Sequence, residues 1–169
     1  MGDKQKIKLK RSLEQLEYQI MDGIHKITLT SKPTIAVLTS HQTSENIKIA
    51  DLLKSLRPYY NLASFNLKKE GLTDQKSLEN LNQFDLLLVS NPKKEFTRNE
   101  KYILDQFSLN GGSQFWMLEG LNIDIESLFN SNGKTQGFPR NLNLDDYFFN
   151  YGIKMQKKIL QDLYNCLLY

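Results

Sequence analysis

A single cysteine, Cys166, excludes an internal disulfide, so cysteine usage leaves the redox compartment open. Only two histidines are present, His25 and His41, and neither HxH, HExxH nor mixed Cys/His spacing occurs. No metal site is expected from so few ligands. No apolar run approaches the ~20 residues of a membrane-crossing helix. The basic start is not followed by an apolar segment, so no signal peptide is read. Neither GxGxxG nor a GxxxxGK sequence followed by Ser or Thr is present, which removes the two common glycine-loop fingerprints for nucleotides. No serine or cysteine sits on a glycine-flanked elbow after a strand. No cofactor and no catalytic set is therefore expected.

What remains is an ordinary soluble composition. The chain has 169 residues, 40% hydrophobic and 24% charged, enough to bury a core in one domain. Its net charge of +3 is unevenly placed. The stretch "MGDKQKIKLKR" holds five basic groups and one acid, so the rest of the chain is close to neutral. Such a tail is read as a solvated arm, not as a nucleic-acid or membrane surface. Residues 1–30 are expected to form this basic arm and a linker helix, and residues 31–169 an α/β domain.

The helix is predicted over "RSLEQLEYQIMDGIHKIT". There Leu13, Leu16, Ile20, Ile24 and Ile27 recur at spacings of three and four, and Ser12 with Gln15 suggests a capping-box start. Strands are predicted at Thr34–Leu38, around "YYNLASFNL", at Phe84–Val89 and at Ser113–Leu118. Helices are predicted between them, through Ile49, Leu52, Leu53 and Leu56, and over "TRNEKYILDQFSL" with a Thr97/Glu100 capping box. A helical turn is expected near Leu78 and Leu81. Later come a short helix over "NIDIESLF", a loop over "NSNGKTQGFPRN", and a helix from Asn143 to Gly152. The pattern leaves "IKM" and "KILQDLYNCLLY" open between edge strand and helix. Strands alternating with helices give an α/β fold, three layers deep, with a mostly parallel sheet flanked by helices.

In such sheets ligands bind at the carboxyl ends of strands. Here those ends are Thr39–Glu45, Ser90–Glu95 and Glu119–Asn122, which makes His41, Asn91 and Glu119 the candidate ligand- or partner-binding residues. The plainer reading of His41 is a solvated loop residue. Ser90 is the one serine after the central strand, but it lacks flanking glycines. Asp145 and Asp146 suit a helix start, where the dipole favours acids. Trp116 belongs to the core on pattern. Gly111-Gly112 follows a helix and precedes a strand, the reverse of a phosphate loop, and reads as a helix stop.

Several segments together resemble the GldG family. "RSLEQLEYQIMDGIHKIT" before "KPTIAVLTSH" is similar to its linker helix and first strand. "FTRNEKYILDQFSLNGGSQFWMLEGLN" and "NLNLDDYFFNYGIKM" with "LQDLYN" are similar to its later segments. The resemblance implies an auxiliary part of an ABC-type transport system linked to gliding motility. It implies a flavodoxin-like or amidotransferase-like domain on the periplasmic face of the inner membrane, anchored by flanking membrane helices. The implied partners are the permease and ATPase subunits of the same system. Where the family carries a Gly-His-Gly-Glu type turn, this chain has Ser40-His41-Gln42-Thr43, so only the histidine carries over. Two rivals stand beside a non-catalytic interaction domain. One is a small-molecule-binding domain at the carboxyl edge of the sheet. The other is a degenerate amidotransferase-like hydrolase, which requires Ser90 or another nucleophile within reach of a base such as His41.

Overall fold

Short apolar runs with no polar face must be covered on both sides, and the chain does this with helical crossovers between parallel strands. The computed structural model describes residues 3–43, 47–68, 71, 73–123 and 136–158. A helix, α1 (Asp3–Thr28), leads into β1 (Thr34–Leu38), α2 (Ala50–Leu56), β2 (Asn61–Phe65), α3 (Asp74–Leu81) and β3 (Leu86–Ser90). Then follow α4 (Arg98–Leu109), β4 (Ser113–Met117), β5 (Leu121–Ile123), β6 (Gly137–Pro139) and α5 (Asp145–Asn150). The main sheet runs β2-β1-β3-β4, and every neighbouring pair is parallel. The predicted α/β architecture, a parallel sheet between helical layers, is the observed one.

Side chains alternate across each strand, so one strand serves two cores. Ala36, Leu38, Leu87 and Val89 pack with Ile103, Leu104 and Phe107 of α4 and Tyr147 and Phe148 of α5. Ile35, Val37 and Leu88 face the other way, against Leu52, Leu53 and Leu56 of α2.

Local chemistry sets the boundaries. Thr97 accepts from the Glu100 amide while the Glu100 carboxylate accepts from the Thr97 amide, the predicted capping box of α4. At the other end Gly111 adopts φ 96°, its amide reaches Ser108 O at 3.0 Å, and the Gly112 amide reaches Phe107 O at 2.9 Å. This is a Schellman stop, so the double glycine ends α4 and sends the chain into β4.

Three expectations are corrected. Helix α1 begins at Asp3, not at Ser12, because the basic stretch is built of Lys, Leu and Gln, which favour helix, with no breaker before Gly23. The helical turn expected near Leu78 and Leu81 is present, as the second turn of a helix capped by Thr73. Residues 137–139 form β6, paired antiparallel with β5, where a loop was expected. Asn143 does not cap α5: it takes φ 55°, and Leu144 is the cap residue. The Asn143 side chain instead donates to Phe96 O at 2.8 Å. Most of the helix expected over "NIDIESLF", and the first six residues of the expected loop, "NSNGKT", lie outside the described residues, as does "ILQDLYNCLLY". "IKM" has neither helix nor strand. No helix among the described residues is long and apolar enough to cross a membrane.

Candidate functional site at the carboxyl edge of the sheet

The loops leaving β1, β3 and β4 meet at the carboxyl edge, and His41 ties the first two together. It leaves β1 with φ 63°, followed by Gln42 at φ 51°, two successive left-handed residues without a glycine. That turn points the His41 carbonyl at the next loop, where it accepts from the Lys93 amide at 2.9 Å and the Lys94 amide at 3.1 Å. Its ring lies flat on Phe96, with centroids 3.9 Å apart and planes 8° from parallel. Phe96 in turn meets Trp116 edge-on at 5.6 Å, and Trp116 meets Phe148 at 5.2 Å. The solvated-loop reading of His41 is therefore wrong: only 3% of the residue is exposed.

Polar contacts fix the ring in its plane. Ser40 Oγ lies 2.9 Å from His41 Nδ1. Nε2 lies 3.2 Å from Glu100 Oε1, within ion-pair reach. Nε2 is buried and has no hydrogen-bond partner, so the contact is one of charge and proximity. The other Glu100 oxygen accepts from the Thr97 amide and hydroxyl, each at 2.7 Å. Burial pushes the Glu100 carboxyl up, but His41 and the two Thr97 donors outweigh it and hold the group at about 2, against an ordinary 4.5. Lys68 adds a distant positive charge, 3.8 Å from Oε1.

Ser40, His41 and Glu100 thus form a hydroxyl–imidazole–carboxylate series, the order a hydrolase uses. All three are buried, at 8%, 3% and 7% exposure. The carboxylate is spent on the α4 cap, and Ser40 Oγ also accepts from the Leu67 amide at 3.4 Å. The series staples β1 to α4 and leaves the hydroxyl no open face for a substrate. Ser90, the expected alternative nucleophile, is the buried last residue of β3.

Asn91 and Glu119 are brought together by a residue that pattern reading passed over, Arg140. Asn91 sits at φ 44° beyond β3, and its amide reaches Met117 O at 2.7 Å. Its side-chain oxygen accepts from Arg140 Nη1, which also reaches Pro92 O. Arg140 Nη2 lies 3.4 Å from Glu119 Oε2. Arg140 lines a cleft of about 290 Å³ with Trp116, Leu118, Glu119, Leu142, Met155 and Lys157. Gly120 lets the wall close: a Cβ there would come within 3.3 Å of Lys157 Cα. His41 does not line this cleft; it lies behind it, one ring beyond Phe96.

Arg140 and Glu100 escaped sequence reading for different reasons. Glu100 was visible as a cap, but its second oxygen meets a residue 59 positions away. Arg140 follows Pro139 in a glycine- and proline-rich stretch that carries no spacing signal, and its partner Asn91 is 49 positions away. Among the described residues no group of three His, Cys, Asp or Glu side chains could hold a metal.

Fold and site together describe a parallel α/β domain whose carboxyl edge is closed by a buried histidine on one side and opens into an arginine-lined cleft on the other. The chain belongs to the auxiliary family described as "ABC-type uncharacterized transport system", which matches residues 32–168. No curated protein matches the chain. Among solved structures it is similar to one titled "mmIFT52 N-terminal domain", at 25% identity and a TM-score of 0.43. That match covers 52% of this chain and 37% of the other.

Proposed function

We propose that this chain is a non-catalytic interaction domain of a GldG-like auxiliary protein in an ABC-type transport system linked to gliding motility. In this reading residues 31–169 form the working domain, and residues 1–30 link it to a membrane anchor. The domain faces the periplasm, and its protein's partners are the permease and ATPase subunits of the same system. Membership of the ABC-type auxiliary family supports the transport assignment. The observation that carries the non-catalytic part is His41, whose ring is sandwiched against Phe96 and Glu100 with its side chain fully covered. A general base must reach its substrate, and this one has no open face. Affinity purification of the full-length protein tests the reading. Recovery of permease and ATPase subunits is expected, and a clean preparation without them would count against it.

A second reading is favoured by Arg140, which lines a cleft with Glu119 and is held by Asn91: binding of a small molecule at the carboxyl edge of the sheet. Such a ligand stabilises the folded state by mass action. A thermal-shift screen over nucleotides, sugars, amino acids and organic acids should then yield at least one class that raises the melting temperature. No shift from any class would remove this reading.

A further inference from the structure

We infer that the Arg140 cleft takes an organic carboxylate carrying an apolar body, either a free small acid or the terminal carboxylate of a peptide. The inference rests on the carboxyl-edge binding reading above and names its ligand. Arg140 has only 10% of its side chain exposed, and its one anionic contact among the described residues is Glu119. That contact is 3.4 Å long, and the Glu119 side chain is 60% exposed. Charge-assisted hydrogen bonds between guanidinium and carboxylate are normally 2.7–2.9 Å and often twofold. A buried guanidinium is costly unless a close anion compensates it. Asn91 and the Pro92 carbonyl hold Nη1, as neutral acceptors that orient the charge without neutralising it. Among the described residues, Arg140 is therefore fixed in direction and short of a close anion.

The rest of the cleft says what the anion is attached to. Trp116, Leu118, Leu142 and Met155 supply apolar walls. Lys157 also lines the cleft, but its ammonium is paired with Asp145 at 3.0 Å, which leaves Arg140 as the cation for an incoming anion. A bare inorganic anion would leave those walls wet. A carboxylate with an isobutyl- or phenyl-sized group fills a space of about 290 Å³ and satisfies both halves. Glu119 is then a competitor that the ligand displaces from Arg140.

Trp116 lines the cleft and is the only tryptophan, so its emission reports occupancy. The intact protein is titrated with N-acetyl-leucine, N-acetyl-leucinamide, and a tetrapeptide ending in leucine with a free or an amidated terminus. A saturable response to the acids at millimolar concentration, absent with the amides, is expected. A response to the small acid alone identifies a free metabolite, and a response to both acids includes a peptide terminus. Arg140→Gln should weaken the response about tenfold or more. Glu119→Gln, which alters an exposed side chain and so keeps the fold, should tighten it severalfold. Equal responses to acids and amides overturn the carboxylate assignment while leaving a carboxyl-edge site in place. Silence to all four ligands overturns the carboxylate assignment, and the thermal-shift screen then decides separately whether the carboxyl-edge site binds anything. An unchanged or weakened affinity in Glu119→Gln overturns the displacement, even if Arg140→Gln fails to fold.

Discussion

His41 Nε2 stands 3.2 Å from Glu100 Oε1, and the two residues come from opposite ends of the β1–α4 path through the sheet. One carboxylate therefore caps a helix and closes a strand loop at once. With Ser40 on the other ring nitrogen and Phe96 beneath the ring, the exit of β1 is fixed without a glycine or a disulfide.

The Glu100 carboxyl is held at about 2, below its unfolded value near 4.5. A depressed acid stabilises the fold fully above the unfolded value, and the contribution fades as pH falls through the folded one. The shift corresponds to about 3 kcal/mol. Glu100→Gln keeps the capping geometry but loses the charge. Urea melts at pH 7 should show it less stable than the parent by roughly this amount, and the gap should close between about pH 4.5 and 2. A gap that does not change with pH would show that the charge is not what holds the loop.

His41 is strained as well as buried. His41→Ala removes the ring over Phe96 and should cost about 3 kcal/mol. His41→Gly removes one carbon more, yet relieves the left-handed backbone by about 1 kcal/mol. The glycine variant should therefore melt a few degrees above the alanine variant. The reverse order, normal where φ is negative, would mean that the turn at residue 41 carries no strain.

The parallel sheet was legible because its two central strands, β1 and β3, are buried on both faces. Ile35, Val37, Leu87 and Val89 sit in unbroken apolar runs, and Thr97 and Glu100 announce a helix start by spacing alone. The three loops at the carboxyl edge were legible by topology, which is how His41, Asn91 and Glu119 came into view. What they contact was not legible. His41 lies in a polar stretch and looked solvated, and its burial depends on Phe96, 55 positions later. Asn91 and Glu119 meet only through Arg140, and no local pattern encodes that contact. Local spacing records helices and strands, whereas the chemistry of the edge is made by pairs far apart in the chain.

Gly111 and Gly112 look alike in sequence but should respond differently to alanine. Gly111 has φ 96° and open space around it, so Gly111→Ala pays mainly for the left-handed backbone, about 1 kcal/mol. A Cβ on Gly112 would lie 2.3 Å from ring carbons of Phe107, which is 1% exposed and cannot swing aside. Gly112→Ala should cost more, about 2–3 kcal/mol, as over-packing of a filled core does. Paired thermal melts decide it, and equal losses would show that the Phe107 ring yields.

Helix α1 meets the α/β domain at Tyr59. The Tyr59 hydroxyl donates to Asp22, which also pairs with Lys26; His25 stacks on the ring at 6.1 Å, and Lys26 Nζ lies 5.1 Å over it. Leu16, Ile20 and Ile24 on the same helix remain about half exposed, so apolar packing does little to hold it. Tyr59→Phe keeps the ring and deletes the hydroxyl. Hydrogen exchange should then quicken over residues 22–28 and stay unchanged in β1 and β3. Acid should act the same way on the parent. Lys26 first, and Tyr59 second, hold the Asp22 carboxyl below its ordinary value of 3.8. The tether is therefore intact above about pH 4 and weakens as pH falls through the depressed value. Exchange in 22–28 that responds to neither the substitution nor the acid would show that α1 is held elsewhere.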